Sequence, residues 1–208
     1  MKFKLLLVIM GVMLIAVYGA LAVLIVGLSG PRSAEIAPTT PETGAGEGPL
    51  TAREAYAMAS SEAQNWREDA QLVNATASWA NVASEEQLAE EVAWGFTFLS
   101  PQSAETQILS VTRAGAERSH EMRSTSTSRV ADLTSWQVDS PDVVNLFLDH
   151  GGREFLNQHP GATITLRLGP EQESSRLVWL AMGIQSADKS TFVLQVDANT
   201  GEVISAAP

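Results

Sequence analysis

The chain has 208 residues, 24 of them acidic and 13 basic, for a formal net charge of −11, and it contains no cysteine. The missing cysteine excludes disulfides, thiolate nucleophiles, iron–sulfur clusters, cysteine zinc sites and a lipidated N-terminal cysteine. The acidic balance opposes phosphate backbones and anionic headgroups, so no nucleic-acid partner is expected.

Residues 1–28 read as a cytoplasmic stub and a transmembrane anchor. Leu5 to Leu28 is a run of 24 residues without a charge, with Tyr18 the only polar tip. As one helix it spans roughly 36 Å against the ~30 Å of bilayer hydrocarbon. A helix also pairs every backbone amide within its own segment, as lipid requires. Lys2 and Lys4 precede the run and only Arg32 follows it closely, which places the N-terminus in the cytoplasm and the acidic body outside. The run is far longer than the about 7–15 apolar residues of a cleaved leader. The expectation is therefore an uncleaved, single-pass signal anchor in the cell membrane, with lipid as a partner through residues 5–28.

Residues 29–49, SGPRSAEIAPTTPETGAGEGP, hold one large apolar side chain, Ile36, and read as a flexible linker. Its coil reach is on the order of 25 Å.

Beyond the linker one pattern occurs twice, over residues 50–130 and 131–208. In the first copy Thr51 is placed as N-cap with Glu54 three positions on, a capping box. Ala55, Met58, Ala59, Glu62 and Trp66 then follow helical spacing and mark the buried face. Alternating runs read as strands: Val73, Ala75, Ala77 and Trp79; Val92, Trp94, Phe96 and Phe98; Leu109 and Val111. The stretch SEEQLAEE before Val92 reads as a short helix or part of a long loop. Ser124 to Ser128, STSTS, reads as an edge strand or a plain connector.

In the second copy Trp136 and Val138 form a short strand that leads into a helix with Ser140 as N-cap and Pro141 at its first position. Val144, Phe147, Leu148, Phe155 and Leu156 make its apolar stripe. The strands are Ile164, Leu166 and Leu168; Val178, Leu180, Met182 and Ile184; Phe192, Leu194 and Val196. At an offset of 85, Trp94 matches Trp179, Leu109 matches Leu194 and Val111 matches Val196, while Gly115 and Gly201 mark hairpin turns. The fold class expected is α+β: an N-terminal transmembrane helix followed by two similar modules, each a helix packed on an antiparallel sheet.

The WQVDS lead-in from Trp136 to Ser140, the helix with Gly151 and Gly152, the His159-Pro160 stop, the strand around Trp179 and the ending VLQVDANTGEVIS from Val193 to Ser205 resemble PepSY-like proteins, over about seventy residues. The first half follows by pattern alone, with TRAGAE from Thr112 to Glu117 at its turn. The resemblance implies a tandem, membrane-anchored or exported bacterial protein whose small α+β modules bind or restrain other envelope proteins, often peptidases. It brings no catalytic residues.

No catalytic, cofactor or metal constellation is found. His120, His150 and His159 lack metalloprotease spacing. The Asp197-to-Glu202 segment has its glycine one position early for a calcium loop and reads as a hairpin capped by Asp197. Ser186 and Lys189 match S-x-x-K without its companion motifs. Trp136 and Trp179 are the candidate partner contacts. Trp179 lies opposite Val178, Leu180 and Met182, so it either packs between the halves or anchors a partner. The function expected is a non-enzymatic, extracytoplasmic binding or regulatory module with a protein or peptide partner. The alternative is a structural or sensory subunit of a membrane assembly, with the span as its working surface.

Overall fold

The computed structural model describes residues 48–123, 129–171, 174 and 176–207. The expected membrane span, the linker as far as residue 47 and the STSTS run lie outside them. Among the described residues no helix is long and apolar enough to cross a membrane.

The chain runs from helix α1 (Ala52–Trp66) into strands β1 (Gln71–Val82), β2 (Trp94–Ser100), β3 (Glu105–Thr112) and β4 (Gly115–Arg123). A second helical segment follows, α2 (Ser140–Phe147), a wide turn (Leu148–Gly152) and α3 (Arg153–Gln158). It leads into β5 (Ala162–Pro170), β6 (Leu177–Gln185), β7 (Ser190–Asp197) and β8 (Val203–Ala207). The strands form one antiparallel sheet in the order β4-β3-β2-β1-β5-β6-β7-β8.

This overturns the expectation of two modules that each pack a helix on a sheet of their own. Strands β1 and β5 are hydrogen-bonded, with Ala75 opposite Leu168, Ala77 opposite Leu166 and Trp79 opposite Ile164. On the open face the Ser78 and Thr165 hydroxyls lie 2.9 Å apart across the same seam. Pairing β1 with β5 satisfies two rows of backbone groups that separate modules would leave as edges. It also merges the buried side chains of both halves into a single core.

Helix α1 starts where the capping box predicts. The Glu54 amide donates to Thr51 Oγ1 at 3.3 Å and the Thr51 amide to Glu54 Oε2 at 3.0 Å. Its buried face is Ala52, Ala55, Ala59, Ala63 and Trp66, so Met58 and Glu62 stand at its margin. A line of alanines lets the helix axis approach β2 and β3 closely. For α2 the N-cap is Asp139, whose carboxylate accepts from the Ser140 amide at 2.7 Å, and Ser140 lies inside the helix. The wide turn breaks the helix at Gly151, whose φ of +117° suits glycine. A side chain on Gly152 would press into the Phe147 ring and lie 2.5 Å from its carbonyl.

The expected alternation holds in β2, β3, β5 and β7, whose inward residues Phe96, Leu109, Leu166 and Leu194 are fully buried. In β1 a bulge between Leu72 and Asn74 shifts the register, so Leu72 rather than Val73 faces the core with Ala75 and Ala77. In β6 the helix-covered face carries Trp179 and Ala181, opposite the expected set of Val178, Leu180, Met182 and Ile184. The SEEQLAEE stretch contains a tight helical turn, Glu85–Ala89.

Gln107 of β3 is 1% exposed, and neither its amide oxygen nor its nitrogen has a partner among the described residues. An unpaired buried amide costs about 1–3 kcal/mol. Gln107→Leu should therefore raise the unfolding free energy by about that amount. Urea denaturation checks this; an unchanged or lower midpoint would show that the amide is satisfied.

Candidate functional site

Trp136 and Trp179 come together, and they do so in the interior. Trp179 is fully buried and Trp136 is 7% exposed. Their rings meet edge to face at 6.2 Å, and Trp179 meets Trp94 in the same way at 6.3 Å. Both indoles donate to the Val138 carbonyl, Trp136 at 2.7 Å and Trp179 at 2.9 Å. Of the two roles open to Trp179, packing between the halves is the one the structure displays. Trp136 is also covered by Arg53, whose guanidinium lies 5.4 Å from the ring centroid and donates to the Trp136 carbonyl.

Around this cluster the two helix starts are tied together. The Ala52 amide donates to Ser140 Oγ at 3.0 Å, and the Arg53 amide to Asp139 Oδ1 at 3.2 Å. Asp139 thus accepts from the first turns of both helices, where the exposed amides favour a negative charge.

The histidines stay apart. His120 is on β4, His150 in the wide turn with Nδ1 2.9 Å from the Leu146 carbonyl, and His159 at the end of α3, 3.3 Å from Asp188. Among the described residues no group of three His, Asp or Glu side chains is placed to hold a metal. Ser186 and Lys189 occupy the turn between β6 and β7. At the β7–β8 hairpin Gly201 has φ +76°, and Asp197 Oδ1 accepts from the Asn199 and Thr200 amides at 2.8 and 3.0 Å.

Two features at the second end of the sheet carry interaction chemistry. The first is the outer edge of β8, VISAA, which has no charge and exposes Ile204. The opposite edge, β4, carries Glu117, Arg118, Glu121 and Arg123, and Arg118 pairs with Glu62 of α1 at 2.8 Å. The second is a shallow, open groove of about 390 Å³ beside the hairpin, lined by Gln137, Val138, Leu146, Asp142, Asn145 and Asp149, and by Gly201 two residues before β8 begins. Sequence reasoning missed the groove. Its one signal is the spacing of Asp142, Asn145 and Asp149 along a single helix face, which also describes an ordinary solvated face.

No family model matches the chain, and no curated protein matches it. Among solved structures, a crystal structure of a putative lipoprotein from Clostridium difficile 630 is similar at 10% identity, covering 74% of this chain and 91% of that one, with a TM-score of 0.49. None of these comparisons shows a PepSY-like family.

Removing the shared acceptor tests the junction. Asp139→Ala should lower stability by about 1–3 kcal/mol, and Asp139→Asn by less because its amide oxygen still accepts. Chemical denaturation of the three proteins gives the ranking; an alanine variant as stable as the parent would remove Asp139 from this role.

Burial pushes the Asp197 carboxyl up, but the Thr200 and Asn199 amides and the Arg176 guanidinium outweigh it and hold it below the usual range. A carboxylate with a depressed folded pKa stabilises the fold fully above its unfolded value of about 4, and that contribution is lost as pH falls through the folded value. Asp197→Asn should therefore flatten the fall of stability with acid below about pH 4. Parallel thermal melts across that range check it, and identical slopes would contradict it.

Proposed function

We propose that this chain is a non-enzymatic binding or regulatory module, held outside the cytoplasm by a single N-terminal membrane span, which takes an extended segment of another envelope protein onto the β8 edge of its sheet. The difference between the two sheet edges carries the reading. Charged side chains along an edge strand oppose pairing with another chain, and β4 has them while β8 has none. A free edge offers its backbone N–H and C=O groups to an added strand, with alternate side chains supplying specificity. The five residues of β8 and the bulge beside Val196 limit the partner to a short segment.

The dispersal of the three histidines over separate elements supports a binding role over catalysis. Membrane tethering is supported by the uncharged run from Leu5 to Leu28 behind Lys2 and Lys4. The PepSY-like ending makes a peptidase one partner class that fits.

A photo-crosslinking residue at Ile204, in full-length protein in its native membrane, should yield discrete adducts with another envelope protein, and the same residue at Ser119 on β4 should not. A phosphatase fused after Pro208 should be active, as it is only outside the cytosol. Equal adduct patterns at the two edges would remove β8 as the binding element, and an inactive fusion would remove the location.

A further inference from the structure

The groove next to β8 specifies the kind of segment that edge receives, an inference that rests on the β8 reading above. Its lining combines an apolar part, Val138 and Leu146, with two carboxylates, Asp142 and Asp149, and two amides, Gln137 and Asn145. All four polar side chains are exposed, and no cation is among the described residues that line the groove. Gly201 lies on the groove and the β8 strand begins two residues later, at Val203, so the groove adjoins the start of β8. In a strand, alternate side chains leave on the same face.

We infer that the segment received by β8 is basic, and that one of its Lys or Arg side chains enters this groove. The aliphatic stem lies on Val138 and Leu146, and the charged head reaches Asp142 and Asp149, the arrangement by which long cationic side chains cover apolar surface while keeping the head solvated. Charge complementarity also argues against a second copy of this chain as occupant. Two chains with a net charge of −11 each repel one another on approach.

The test uses the full-length chain in neutral detergent and three fluorescein-labelled peptides of about nine residues, roughly 30 Å when extended. Each alternates Val or Thr with a variable residue, which is Lys, Gln or Glu. Anisotropy titrations should show the Lys peptide binding about tenfold more tightly than the Gln peptide at low salt, and the preference should shrink as salt rises. The double variant Asp142→Asn, Asp149→Asn should bring that ratio close to one. Glu117→Gln with Glu121→Gln, on the far edge, should preserve it and serves as the control for overall charge.

Equal binding of the Lys and Gln peptides would overturn the groove while leaving the β8 reading standing. A preference that survives the Asp142 and Asp149 changes would do the same. If no peptide binds, or if sedimentation shows a dimer that Ile204→Lys abolishes, the strand-addition reading falls together with the groove.

Discussion

Two indole N–H groups set the geometry on which the rest of the molecule depends. Trp94 of β2 donates to the Leu50 carbonyl at 2.9 Å, and Trp179 of β6 donates to the Val138 carbonyl at the same distance. Leu50 and Val138 each stand immediately before a helix N-cap, Thr51 and Asp139. A strand side chain therefore fixes where each helix leaves the sheet. Because Trp94 and Trp179 touch, the two helices begin side by side, within reach of each other's first amides. Losing one such bond with the indole still in place would orphan a buried donor, which costs more than the about 1 kcal/mol net value of the bond itself; the Val138 carbonyl would keep its bond from Trp136.

That contact between tryptophans explains why the halves share one sheet. Trp94 and Trp179 belong to strands separated by β1 and β5, a backbone distance of about 14 Å at ordinary strand spacing. Their rings nevertheless meet at 6.3 Å. β1 contributes only Ala75 and Ala77 at this level, beside Leu166 and Leu168 of β5, which leaves the indoles more room than larger side chains on β1 would. A first half standing alone would have those alanines at its edge and an unfilled core beside them. The indole from the other half fills it, and the strand pairing of β1 with β5 brings that indole there.

The parts of this arrangement that are local were legible in the chain. Strict alternation placed β2, β3, β5 and β7, and the Thr51–Glu54 spacing placed the start of α1. Where sequence reasoning failed, a long-range contact decided. Ser140 and Asp139 are both competent N-caps, and the choice between them turns on Ser140 Oγ being engaged by the Ala52 amide, 88 residues away. In β6 both faces are apolar, so periodicity cannot name the inner one; the Val138 carbonyl that Trp179 reaches does. The bulge after Leu72 has no glycine or proline to announce it. The groove was invisible for the same kind of reason, since Asp142, Asn145 and Asp149 become a lining only when the Gly201 hairpin is folded against Val138.

The two ends of the sheet occupy equivalent places in the two halves, each the fourth strand after a helix. Topology alone would make them equally available, so the difference between them is chemical. At one end, charges on β4 and the tie from Arg118 to Glu62 hold water along the strand and oppose extension of the sheet. At the other, β8 has no charge and, among the described residues, no such tie, while the Asp197 carboxylate bridges the turn of the adjoining hairpin. A free edge on a hairpin bridged in this way loses less conformational entropy when it is paired, which lowers the cost of receiving a strand. On the strand-addition proposal, growth of the sheet would thus be directed to one side, the side that adjoins the acidic groove.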